Sequence, residues 1–232
     1  MASLPLVLLP GLLCDARLWR DPAAALADLA PIHPADLTLD DSVAGMAARV
    51  LATAPPVFAL AGLSMGGYVA FEILRQAPQR VARLALLDTS ARTDPPKRLA
   101  VRKAGLALAE AGRFAGVTRK LLPQLVHESR VDSEVGEAVM AMAQRVGRDA
   151  FLRQQRAIID RPDSLPLLPA IAVPTLIGVG ADDRMTLPEE AHLLRDGIAG
   201  ARLHVFARCG HLPPMEVPEE TATVLRDWLQ AP

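Results

Sequence analysis

The chain has 232 residues, 51% of them hydrophobic, and a formal net charge of -1. That is enough apolar material for one full core, and it leaves no global field to recruit nucleic acid or an anionic membrane surface. Aromatics, at 3%, are too sparse for a base-stacking platform, and Cys14 and Cys209 form neither a disulfide framework nor a metal-ligand spacing.

The opening MASLPLVLLPGLL is apolar but lacks a basic leader, and Pro5, Pro10 and Gly11 interrupt it. It is too short to span a bilayer and reads as a buried strand, Leu4 to Leu9, of a soluble, cytoplasmic protein. A helical run around Leu18, Trp19 and Leu26 follows, then a short strand from Ile32 to Leu37 weakened by Pro34. Asp41 or Ser42 caps a helix whose Val43, Met46, Val50 and Leu51 share a face. Val57 to Leu63 is the third strand. It runs into Gly62-Leu63-Ser64-Met65-Gly66, and a helical pattern covers Tyr68 to Gln76. A Gly-x-Ser-x-Gly turn between strand and helix is a nucleophile elbow: the serine takes a strained conformation, and the helix aims its free N–H groups at the same point. Val81 to Leu87 is the fourth strand, ending at Asp88. Strands alternating with helices imply a doubly wound, mostly parallel sheet.

The alternation stops between 91 and 168. Helices are expected over Pro96–Ala111, Phe114–Val126, Ser133–Val146 and Asp149–Ile159, a helical cap inserted into a core made of 1–90 and 169–232. A buried strand, Pro174 to Gly180, then ends in Ala181-Asp182-Asp183-Arg184, with Thr186 and Glu189 spaced as a capping box. The last strand, Leu203 to Phe206, leads to Cys209-Gly210-His211 and a closing amphipathic helix. Ligands of such sheets sit beyond the carboxyl ends of the strands. Leu12, Ser64, Asp183 and His211 all fall there, in the order serine, acid, histidine.

Taken in order, GLSMGGYVAFEILRQAPQRVARLALLDTSA, GADDRMT and GHLPPMEVPEE match blocks of the α/β-hydrolase superfamily. The chain resembles its capped small bacterial carboxylesterases, including pimeloyl-carrier methyl-ester esterases and enol-lactone hydrolases. The resemblance implies an α/β-hydrolase fold of about six strands, since the family's two leading antiparallel strands have no counterpart here. It also implies a cofactor-free and metal-free serine hydrolase acting on a small-molecule ester. Ser64 would be the nucleophile, His211 the base and Asp183 the orienting acid, with the N–H groups of Leu12 and Met65 as oxyanion hole. Asp182 is adjacent, and the family's spacing favours Asp183; Asp88, at the end of the fourth strand, is a remoter alternative that reads rather as a loop or helix-cap residue. Where relatives carry His-Gly after the first strand, this chain has Pro10-Gly11, which removes one donor.

Substrate contacts are expected from Leu13, Leu121, Met140 and Leu212, with Leu106, Leu122, Val139, Met142 and Phe151 as further cap candidates. Cap arginines Arg98, Arg102, Arg119, Arg153 and Arg156 are either a solvated helix face or a hold for a carboxylate or an acyl-carrier partner. Cys14 and Cys209 read as packing residues. Lactones and thioesters pass through the same oxyanion, a lyase can use the same base, and a binding module could keep the fold without turnover.

Overall fold

Six strands form, and every neighbouring pair runs parallel, in the order β2-β1-β3-β4-β5-β6. The computed structural model describes residues 3–231; Met1, Ala2 and Pro232, the ends of the two expected core segments, lie outside the described residues. The first half contains β1 (Leu6–Leu9), α1 (Arg20–Leu26), β2 (Ile32–Pro34), α2 (Val43–Thr53), β3 (Phe58–Leu63), α3 (Met65–Gln76) and β4 (Val81–Leu87). Between β4 and the next strand come only helices: α4 (Pro96–Glu110), α5 (Leu122–Leu125) and α6 (Glu134–Ile159), with short 3-10 turns. The sheet resumes with β5 (Thr175–Gly180), α7 (Pro188–Gly197), β6 (Arg202–Phe206), α8 (Pro213–Glu216) and α9 (Pro218–Gln230).

β1, β3 and β5 are buried along their whole length because helices cover both faces of the sheet, whereas the edge strands β2 and β6 carry His33, Arg202 and His204 and are partly exposed. Alternation along each strand divides the core. Val7, Leu9, Leu60, Leu84 and Leu86 join α2, α3 and α7 on one face. Leu6, Leu8, Ala59, Ala61 and Ala85 face α1, α9 and the helical insertion on the other. Pro34 is tolerated because β2 is an edge strand paired only with β1. Ser42, not Asp41, caps α2, its hydroxyl accepting from the Gly45 N–H at 3.1 Å.

The insertion departs from the sequence expectation in two places. Residues 114–121 stay outside any helix, since Gly112 and Gly116 take positive φ (83° and 63°). The two later helices join end to end as α6, with Gly147 (φ 78°, ψ 177°) as a non-helical joint between them. The expected capping box does not form either. Leu187 precedes α7 without a side-chain cap, and the Thr186 N–H turns instead to the Asp183 carboxylate.

β1 lies between β2 and β3, so the chain leaves it in one direction and returns on the other side. The crevice at that switch point is bounded by Gly11 after β1 and Ser64 after β3. Its narrowness rests on missing side chains: a Cβ on Gly66 would sit 2.3 Å from the Leu9 carbonyl oxygen. Gly66→Ala should therefore lower stability by about 3 kcal/mol through backbone displacement. Gly105→Ala in α4, whose Cβ would meet nothing within 4 Å, should raise it by about 0.5–1 kcal/mol. Urea unfolding of the two variants beside wild type checks both signs.

Candidate active site

Ser64 sits at φ 55°, ψ -113°, a conformation that no strand or helix uses. Three contacts hold it there. Its N–H donates to the Leu87 carbonyl at 3.0 Å, and its own carbonyl accepts the Thr89 hydroxyl at 2.7 Å. Gly62, two residues back, lies so near α3 that a Cβ would meet the Gly66 carbonyl oxygen at 2.5 Å. With the turn closed this tightly, the side chain is directed off the sheet edge and α3 begins at the next residue. The Met65 N–H, the first of that helix, has no intrahelical acceptor.

The facing wall comes from the loop after β1. Leu13 also takes a positive φ of 59°. Its N–H donates to Gln154 Oε1 at 3.0 Å, while Gln154 Nε2 donates to the Leu37 carbonyl at 3.1 Å. Gln154 is fully buried, so this amide from α6 fixes the loop that presents Leu12. Sequence reasoning missed it; a glutamine in an arginine-rich helix gives no signal of its own.

His211 and Asp183 meet at the ends of β6 and β5. Nδ1 of the imidazole lies 2.8 Å from Asp183 Oδ2, and both side chains are buried. The other carboxylate oxygen, Oδ1, accepts from the N–H groups of Met185 at 2.7 Å and Thr186 at 3.1 Å. One carboxylate thus closes its own loop and orients the imidazole. Asp182 points away: its side chain is 48% exposed and lies 3.9 Å from His127.

A second carboxyl lies beside this pair. One oxygen each from Asp88 and Asp183 and one ring nitrogen of His211 fall within 4.8 Å of one another. Asp88 Oδ1 accepts the Gly180 N–H at 2.9 Å, but Oδ2 meets no donor among the described residues. Burial, then the charge of Asp183, hold the Asp88 carboxyl well above the usual carboxylate range, against the Gly180 hydrogen bond that favours the anion. This shift favours the protonated form of Asp88.

Glu216, in the first turn after the histidine loop, is 2% exposed. Its carboxylate accepts from the N–H groups of Gly210 (3.1 Å), Leu212 (3.1 Å) and His127 (2.7 Å). The backbone on both sides of His211 is thereby tied to α8 and to the insertion. The His211 N–H itself donates to the Leu125 carbonyl at 2.9 Å. The signal for Glu216 was the block GHLPPMEVPEE, but nothing in the spacing distinguishes a buried clamp from a solvated glutamate.

Cys14 and Cys209 are buried and free. Burial pushes the Cys14 thiol up to about 12 and raises that of Cys209 further, so neither is a reactive thiolate at neutral pH.

Ser64 and His211 open into one cavity of about 630 Å³, also lined by Leu12, Leu13, Leu121 and Leu212. Met140 is not on its wall; Val139, Met142 and Phe151 supply that surface instead. Leu106 and Leu122 also lie off it. Of the cap arginines, Arg98 and Arg102 line the cavity, whereas Arg119 pairs with Asp132 and Glu137, Arg156 pairs with Glu110, and Arg153 donates to the Thr38 carbonyl.

The sequence profile described as the Alpha/beta hydrolase family matches residues 6–224. The chain belongs to this family. It is 29% identical over 199 residues to a pimeloyl-[acyl-carrier protein] methyl ester esterase of Neisseria meningitidis, covering 80% of this chain and 72% of that one. A thermophilic esterase from Thermogutta terrifontis, solved with malate bound, superposes with a TM-score of 0.86 at 30% identity, covering 99% of this chain and 90% of its own. The enol-lactonase of Burkholderia xenovorans LB400 shares the fold, with a TM-score of 0.82 at 23% identity over 99% of this chain and 91% of that one. No helix among the described residues is long and apolar enough to cross a membrane.

The upward shift of the Asp88 carboxyl has a signature in stability. A carboxyl whose folded-state pKa is raised keeps its proton in the folded protein after the unfolded chain, near pH ~4, has released it. Its contribution is complete below that pH and is lost as the pH rises toward the folded-state value. Asp88→Asn removes this dependence, so the stability of the variant relative to wild type should grow from pH 4 to pH 7. Urea unfolding across that range measures the difference; a constant offset would mean that Asp88 is ionised.

Proposed function

We propose that the protein is a cofactor-free serine hydrolase that cleaves carboxylic esters through an acyl-enzyme, with Ser64, His211 and Asp183 as its triad. The observation that carries this reading is the buried 2.8 Å contact between His211 and Asp183, behind a cavity that His211 lines together with the elbow serine. In this scheme Ser64 Oγ attacks the ester carbonyl as the Nε2 atom of His211 takes its proton. Asp183 fixes the imidazole tautomer and stabilises the imidazolium. Negative charge develops on the former carbonyl oxygen, where the N–H groups of Leu12 and Met65 are the donors. His211 returns the proton to the leaving alcohol, and water then releases the acid by the same steps.

The esterase relatives support the bond type, and the lining of Leu13, Leu121, Val139, Met142 and Leu212 supports an aliphatic acyl chain. The small-molecule ester is the only partner this reading requires. Two free, buried cysteines fit a reducing cytoplasm.

The test is fluorophosphonate labelling read by intact mass, beside turnover of p-nitrophenyl esters of graded chain length. Wild type should take one label and turn over, and folded Ser64→Ala should do neither. Asp183→Asn should lose about a thousandfold or more in turnover, and Asp182→Asn should keep most of it. An unlabelled wild type, or a Ser64→Ala protein that still labels, overturns the proposal.

A further inference from the structure

The cavity wall is chemically one-sided. Lys97, Arg98, Arg102 and Arg184 line it, and no carboxylate among the described residues does. Lys97, Arg98 and Arg102 lie on α4 and Arg184 in the loop after β5, whereas Leu125 on α5 and Val139 and Met142 on α6 before the joint at Gly147 give aliphatic wall. Behind the cationic wall one buried carboxylate, Asp94, is shared by three guanidiniums: Arg102 in direct contact, Arg161 at 2.9 Å and Arg98 at 3.6 Å. Burial alone would raise the Asp94 carboxyl; Arg161 and Arg102 overrule it and hold it below its usual value. A single anion cannot neutralise three cations, so positive charge is left over in a half-enclosed space where water screens it poorly.

The geometry gives this charge a direction. The Arg102 side chain is only 10% exposed, and its Nη1 donates to Gln155 Oε1 at 3.3 Å. Gln155, 6% exposed, lines the cavity, and with its oxygen taken by Arg102 its amide N–H groups have no acceptor among the described residues. The wall continues through Tyr68, whose ring carries the Arg161 guanidinium 4.1 Å above its centroid. Tyr68 lies one helical turn beyond the elbow, on α3, so the polar wall begins about 5 Å along the axis from the reacting serine.

We infer that the cavity is built for an acyl chain ending in a carboxylate, held by Arg102 and the Gln155 amide with Lys97 at the mouth. This rests on the ester-hydrolase reading only for which bond is cleaved; the anion site stands on its own charges. A half-ester of an aliphatic dicarboxylic acid has the required form. Its methylenes cover the aliphatic wall, its ester carbonyl reaches Ser64, and its distal anion supplies the charge that Asp94 does not. Charge-assisted hydrogen bonds of this kind discriminate by about tenfold or more against a neutral amide of the same shape.

Two methyl ketones that cannot be hydrolysed, 6-oxoheptanoate and 6-oxoheptanamide, test this by calorimetric titration of the full-length protein. Wild type should bind the carboxylate about tenfold more tightly than the amide, and added salt should narrow the gap. The ratio should fall toward one in Arg102→Gln and be reduced in Lys97→Gln. Lys97 has no ion-pair partner among the described residues, so it keeps the test open should Arg102→Gln not fold. Failure to bind the ketoacid, binding no tighter than the amide, or a ratio unmoved in both variants overturns the inference. Turnover of monomethyl and dimethyl adipate separates it from the broader reading. Equal hydrolysis of both with a ketone ratio of one removes the anion site alone; no hydrolysis with the ratio intact removes the ester chemistry alone.

Discussion

The close crossing of β1, β3 and α3 is the constraint from which the rest of the site follows. Gly62 and Gly66 let two strands and a helix approach at backbone distance, and Ser64 is left in a conformation that its neighbours impose. The strain is local, of order 1–3 kcal/mol for such a residue. It is balanced by a fully apolar sheet interior, with Leu9, Leu60, Leu63 and Val69 all inaccessible to solvent. The turn can stay tight because the sheet beneath it cannot yield.

The remaining parts of the site are held by polar groups buried for that purpose. Gln154 pins the loop after β1, Asp183 closes the loop after β5, and Glu216 closes the loop after β6. Each takes up backbone N–H groups that would otherwise be buried without a partner, so each loop has one arrangement that satisfies its donors. Asp88 differs. It is a buried acid at the end of β4 whose second oxygen has no hydrogen-bond partner among the described residues, and its backbone is itself strained at φ 46°.

The sheet and the elbow were legible in the sequence because they are written in local patterns: continuous apolar runs of strand length, glycines at fixed offsets, and acid and histidine at strand ends. The insertion was less legible. Helical periodicity continues from Ser133 to Ile159, so the backbone break at Gly147 showed as a gap between two expected helices, while residues 114–121 kept an apolar pattern without becoming helical. Substrate contacts were the least legible. Val139 and Met142 face the cavity and Met140 does not, a distinction of helix rotation that depends on how α6 sits over the core. Glu216 and Gln154 lay hidden because a buried polar residue and a solvated one are spelled alike.

The contact between the insertion and the histidine loop also bears on how the chain is made. Gly210 lies so close to Val126 and His127 that a Cβ would meet their backbone at 2.7–2.8 Å, and Leu125 and His127 exchange hydrogen bonds with His211 and Glu216. During synthesis, residues 125–127 emerge before the segment that satisfies them, so this edge of the insertion stays open until His211 and Glu216 have followed. A nascent chain stopped before Met215 would have its sheet strands and its serine elbow, yet the seam beside the histidine would lack the carboxylate that seals it. Completion of this seam therefore waits on a residue 89 positions further along the chain than His127.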